Sequence, residues 1–123
     1  MSKQEYERRE LSLEMVNGSL IVPFYYKGKK YRALVDTASY CCAVGLNFLD
    51  EAMLPINDQG GFVLDEFGFD EDSKYLLTDL NVLFIDSKED LGFDVVLGIQ
   101  GLVGTAIFVD GDGTFKFNYL VEK

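Results

Sequence analysis

The sequence predicts a mostly β domain, and three observations carry that expectation. Ten Phe and seven Tyr in 123 residues supply the side chains that favour pleated, half-buried surfaces. Short apolar runs alternate with polar residues. Most of the 12 glycines fall between those runs, where turns break strands. Hydrophobic residues make up 48 % of the chain, enough for a core in one domain of this size.

Residues 1–10 are polar and read as a flexible N-terminal arm, which leaves 11–123 as a single domain. Leu11, Leu13 and Met15 alternate with polar residues and predict a first strand. Asn17-Gly18 signals a hairpin. A second strand follows over 20–26. Lys27-Gly28-Lys29-Lys30 is a cationic turn, and Tyr31 to Asp36 is a third strand ending in Ala33-Leu34-Val35. Residues 39–44 are small and apolar and read as a buried strand. Leu46, Leu49, Met53 and Leu54 have near-helical spacing, with Asn47 as a cap and Pro55 as the stop. After a turn at 57–61, strands are expected over 62–69 and 76–85, separated by an acidic turn at 68–73. A polar loop over 86–92, a strand over 93–97, a helical turn over 99–103 and a hairpin of 106–109 with 114–121 complete the chain.

The net charge of −10 is the opposite of what a nucleic-acid binder needs, and an anionic membrane would repel it. Neither partner is expected. There is no histidine, which removes Ser-His-Asp and Cys-His mechanisms. With two cysteines, most zinc sites go as well. Hydrolytic chemistry would have to rest on carboxylates, on Lys or on a bound ion. Cys41 and Cys42 are neighbours, with Cα atoms about 3.8 Å apart, too close for an unstrained disulfide. Free thiols are expected, which suits a reducing cytoplasm. The opening residues carry charge and no apolar h-region, and no apolar run is long enough to cross a bilayer. A cytoplasmic location is expected.

One carboxylate has an unusual place. Asp36 follows three apolar residues, and burying a carboxylate costs several kcal/mol unless it is paired or hydrogen-bonded. A strand-ending Asp that folds back on its own backbone would give the same pattern. Asp110-Gly111-Asp112-Gly113 lacks the third ligand position and terminal Glu of a calcium loop, and Asp-Gly pairs are ordinary hairpin turns. No metal and no cofactor is expected.

Two segments together resemble the retropepsin family of aspartic proteases. Leu34-Val35-Asp36-Thr37-Ala38-Ser39 is similar to its apolar-apolar-Asp-Thr/Ser-Gly-Ala/Ser motif, with Asp-Thr-Ala in place of Asp-Thr-Gly. Val96-Leu97-Gly98 is similar to its later motif of two apolar residues and Gly before a short helix. The resemblance spans about residues 19–118. It implies a retropepsin-like closed β-barrel, one lobe per chain, with one or two short helices. It also implies a homodimeric aspartic endopeptidase that hydrolyses peptide bonds in a peptide or protein substrate. Two copies of Asp36 would share one proton and activate a water between them. Thr37 would bond across the two-fold axis, and Ser39 would donate to the outer oxygen of Asp36. Ala38 and Ser39 would line the substrate cleft. A glycine-hinged flap between Gly60 and Ser73, with Gly60, Gly61 and Phe62, would close over the peptide. Asp65, Glu66, Asp70, Glu71 and Asp72 would make that flap acidic. The strand of residues 114–121 would offer an unpaired edge to the dimer. If position 38 needs positive φ, Ala costs on the order of 1 kcal/mol. The alternative is a catalytically inactive binding or assembly module that keeps the fold.

Overall fold

Among the described residues, ten strands and one α-helix follow the order β1 Tyr6–Ser12, β2 Glu14–Val16, β3 Ser19–Tyr26, β4 Lys29–Val35, β5 Cys42–Gly45, α1 Leu46–Ala52, β6 Phe62–Leu64, β7 Leu80–Ile85, β8 Val95–Leu97, β9 Ala106–Val109 and β10 Phe115–Glu122. A 3₁₀ turn, Ile99–Gly101, follows β8. The computed structural model describes residues 5–72, 74, 75, 79–86 and 91–122. The expectations for 1–4, Ser73, 76–78, 87–90 and Lys123 lie outside the described residues.

The mostly β expectation holds. The strands form a three-stranded sheet, β1-β10-β9, and a seven-stranded sheet, β2-β3-β4-β8-β5-β7-β6. The closed barrel expected from the resemblance is not seen among the described residues. Single bridges take the place of ladders around 65–75, Tyr25 with Gly68 and Tyr75 with Val121, so the sheets touch without joining edge to edge. The Asn17-Gly18 and Lys27-Gly28 hairpins form as read, each pair at positive φ, the geometry that matches strand twist.

Residues 6–10, expected in a flexible arm, instead form most of β1, paired antiparallel with β10 from Tyr6↔Glu122 to Ser12↔Lys116. This occupies one edge of β10, and β9 occupies the other from Phe115 to Asn118. The outer strands of this sheet are therefore β1 and β9, and beyond Asn118 the second edge of β10 carries the Tyr75↔Val121 bridge. Helix α1 starts after extended Gly45 with no side-chain cap, so Asn47 lies inside it, and it ends at left-handed Met53 (φ 53), ahead of Pro55.

The core is aromatic. Phe24 stacks on Phe67 at 5.0 Å and meets Phe48 edge-on. Phe69 touches Tyr75, Phe117 and Tyr119 at ring distances of 5.0, 5.0 and 5.2 Å. Edge-to-face pairs of this kind add to burial energy. Phe67 and Phe69 thus connect the large sheet to the small one.

Candidate active site

Strand β4 buries Tyr31 and Ala33 and runs parallel to β8, with Val35 opposite Leu97. The ladder continues one step further, because the Asp36 N–H donates to the Leu97 carbonyl at 3.0 Å. Asp36 is therefore fixed to the central strands at its backbone while its side chain emerges half-buried. The chain then turns through Thr37 and Ala38. The Ala38 N–H donates to Asp36 Oδ1 at 3.1 Å, and the Ser39 N–H donates to the Asp36 carbonyl at 3.3 Å.

The second motif clamps this loop from outside. The Ile99 and Gln100 N–H groups donate to the carbonyls of Ser39 and Tyr40 at 2.8 and 2.9 Å. The approach needs glycine at 98: a Cβ there would lie 2.3 Å from the Cys41 carbonyl oxygen and 2.7 Å from that of Ser39. At 101 a Cβ would lie 2.7 Å from Cys42 Sγ. Leu34-Val35-Asp36 and Val96-Leu97-Gly98, far apart in sequence, are thus one backbone-locked unit. Asp94 aligns its other end, where Oδ2 accepts the Arg32 N–H at 2.9 Å and its own N–H donates to the Arg32 carbonyl at 2.8 Å.

The expected site residues divide into two groups. Asp36, Thr37, Ala38 and Ser39 share the clamped loop, with Thr37 and Ala38 exposed. The Ser39 hydroxyl, expected to donate to Asp36, donates instead to the Cys41 carbonyl at 3.0 Å. Ala38 is not among the residues at positive φ, so a side chain there brings no backbone strain. Gly60, Gly61 and Phe62 belong to a different place. Gly60 and Gly61 close a turn ahead of edge strand β6, which Phe62 begins and which β8, β5 and β7 separate from β4. Asn57 Oδ1 accepts from the Gln59 and Gly61 N–H groups, both at 2.9 Å, and Gly60 takes φ +84.

The acidic part of the expected flap is built into the body of the protein. Phe67 and Phe69 are buried. Asp65 accepts from the Tyr26 hydroxyl at 2.6 Å. Asp70 accepts from Tyr119 at 2.5 Å and from Arg9 at 3.0 Å. Burial first, and the neighbouring carboxylate second, push the Tyr26 and Tyr119 hydroxyls well above the usual tyrosine value.

Residue types alone gave little sign of which cysteine is buried or of the apolar surface beside the clamped loop. Cys41 is exposed and Cys42 buried, both as free thiols. Burial pushes the Cys42 thiol up, partly offset by backbone hydrogen bonds from Gly98 and Gly101. Tyr40, Ile99 and Val103 leave large apolar surface exposed on and just after the clamped segments. At the other end of the chain, the Asp110 and Asp112 carboxylates accept from Gly111 and Thr114, which is hairpin-turn bonding, as read.

The architecture defined by these crossed, backbone-locked loops is that of a retropepsin-like fold. The chain is similar to a crystal structure of a retropepsin-like aspartic protease from Rickettsia conorii, with a TM-score of 0.68, 15 % identity and 100 % of both chains covered. At that identity the likeness concerns the fold. No family model and no curated protein matches the chain. No helix among the described residues is long and apolar enough to cross a membrane.

Proposed function

We propose that this chain is one half of a homodimeric aspartic endopeptidase whose dyad consists of two copies of Asp36. The observation that carries the proposal is the Asp36 loop: a carboxylate held at its backbone by Leu97, with one side-chain hydrogen bond among the described residues, from its own loop. The fold likeness supports the same reading. Two such carboxylates a few Å apart hold one proton between them. The ionised one takes a proton from water as it attacks the scissile carbonyl carbon, and the protonated one donates to the carbonyl oxygen. The pair titrates as a unit.

The rest of the loop fits that arrangement. Thr37 is exposed and its hydroxyl makes no hydrogen bond among the described residues, which leaves it available to bond across the two-fold axis. Ala38 presents a methyl group to the cleft without positive φ, which removes the backbone argument for an inactive module. Ser39 acts through the loop, since its hydroxyl holds the Cys41 carbonyl. The Asn57-braced turn at Gly60 and Gly61 is the flap tip, with Phe62 behind it, and residues 65–72 are its foundation. At the dimer sheet β1 and β9 are the outer strands, and β9, with exposed Phe108 and Val109, is the edge that meets its copy. The free thiols suit a reducing cytoplasm.

Cleavage of a diverse peptide library, read by mass spectrometry at mildly acid and neutral pH, tests the proposal. The parent chain is expected to cut and the Asp36→Asn chain to be inert. Equal inertness, or equal cutting, of the two chains contradicts it.

A further inference from the structure

The groove at the corner where the chain leaves one sheet for the other is lined by Ser12, Glu14, Ile21, Pro23, Lys30 and Arg32, with a volume of about 210 Å³. It belongs to neither the Asp36 loop nor the flap turn. Lys30 and Arg32 alternate along β4, so they share one face, and both are exposed. Among the other cations, Lys29 pairs with Glu51, Arg9 with Glu7 and Asp70, and Lys74 with Glu66, while Lys27 lies over the Tyr26 ring. Lys30 and Arg32 have no ion-pair partner among the described residues. Lys116 adds a third cation at the rim, its Nζ donating to Ser12 Oγ at 3.1 Å. In a chain of net charge −10, Lys30 and Arg32 outnumber the one carboxylate that lines this groove, Glu14, and their field reaches about 10 Å at ordinary ionic strength.

The backbone beneath is rigid and closed to a further strand. Arg32 is bonded through both its N–H and its carbonyl to Asp94. Pairing of β2 with β3 stops at Glu14↔Ile21, and Pro23, next on that edge, has no N–H to offer an incoming strand. Recognition here falls to side chains.

We infer that this groove docks a short acidic segment of a protein partner, in extended form, with carboxylates two residues apart and a small apolar residue near them. Residues i and i+2 of one strand lie about 7 Å apart, so Lys30 and Arg32 match the carboxylates of an extended Glu-x-Glu segment. Pro23 and Ile21 supply the apolar floor. Glu14 at the groove wall and the acidic surface around it disfavour a continuous polyanion such as nucleic acid, which cannot confine its charge to the groove.

The test uses the full chain and a fluorescein-labelled peptide, Gly-Glu-Val-Glu-Gly, followed by fluorescence anisotropy. Saturable binding is expected. It should weaken about tenfold with the Gln-Val-Gln peptide or with Lys30→Gln/Arg32→Gln. Lys27→Gln, at the hairpin tip outside the groove, should bind as the parent does. Charge reversal in Lys30→Glu/Arg32→Glu should switch preference to Gly-Lys-Val-Lys-Gly, a gain of binding that an unfolded variant cannot produce. The Asp36→Asn chain should bind the acidic peptide unchanged, so failure of the protease reading leaves this result intact. No saturable binding by the parent, parent-like binding by Lys30→Gln/Arg32→Gln, or equal competition from a thymidine oligonucleotide overturns the inference.

Discussion

Asp36 and Asp70 are both half-buried carboxylates on irregular segments, and their surroundings differ in kind. Asp70 accepts from the Tyr119 hydroxyl and the Arg9 guanidinium, and so ties the 65–75 segment to β10 and β1. Asp36 accepts one side-chain hydrogen bond among the described residues, from Ala38, while its backbone is held as firmly as any strand residue. In the first region the carboxylate is used up in holding the fold. In the second, the fold holds the backbone and leaves the carboxylate with one hydrogen bond from its own loop, as the proposed catalytic role requires. An acidic residue's neighbours, rather than its burial, separate a structural role from a chemical one.

Four measurements can break or sharpen this contrast. The largest expected effect lies in the structural region. Phe69 is 2 % exposed and joins four other rings, so Phe69→Ala should cost about 4 kcal/mol in urea unfolding. A loss under about 1 kcal/mol would show that the aromatic bridge is not what unites the sheets. Next is the clamp. Gly98→Ala places a methyl group against two backbone carbonyls and should cost about 3 kcal/mol, with loss of cleavage even where the chain remains folded. Full activity in that variant would detach the Asp36 loop from its clamp.

The third effect is smaller and depends on pH. Tyr26, Tyr75 and Tyr119 are all pushed above the ordinary value of 10.0 by burial, and Tyr26 and Tyr119 further by Asp65 and Asp70. The unfolded chain therefore releases these protons first as pH rises. Their contribution to stability is complete below pH about 10 and is lost above it. Tyr119→Phe should cost about 1 kcal/mol near neutrality and make the alkaline fall shallower. An unchanged slope would mean that Tyr119 is not held as described.

Much of this fold was legible from alternation and turn chemistry. The hairpins at Asn17-Gly18 and Lys27-Gly28, helix α1 and strands β3, β4, β7 and β10 lie close to where residue patterns put them. Strand β1 was not legible. The side of it that packs inward carries Glu7, Arg9 and Leu11, and Arg9 is accommodated by pairing with Glu7 and Asp70, a pattern that hydropathy reads as solvent-exposed. Asp65 and Asp70 misled for a related reason: both accept from tyrosine hydroxyls, which a hydrophobic pattern does not show. Strand β6 stops at Leu64, short of the expected 62–69, and Gly68 bridges Tyr25 on β3 instead. At the candidate site, Asp36 and Gly98 were found through the joint spacing of two short motifs. The reason for Gly98, a backbone approach too close for any Cβ, emerged only with the loop in place.

The most direct test of the central claim mixes parent and Asp36→Asn chains after co-refolding at fixed total concentration. If each active site needs two copies of Asp36, cleavage falls as the square of the parent fraction, because mixed dimers hold one carboxylate and are inert. A fall in simple proportion to the parent fraction would mean that one chain acts alone, and would contradict the account.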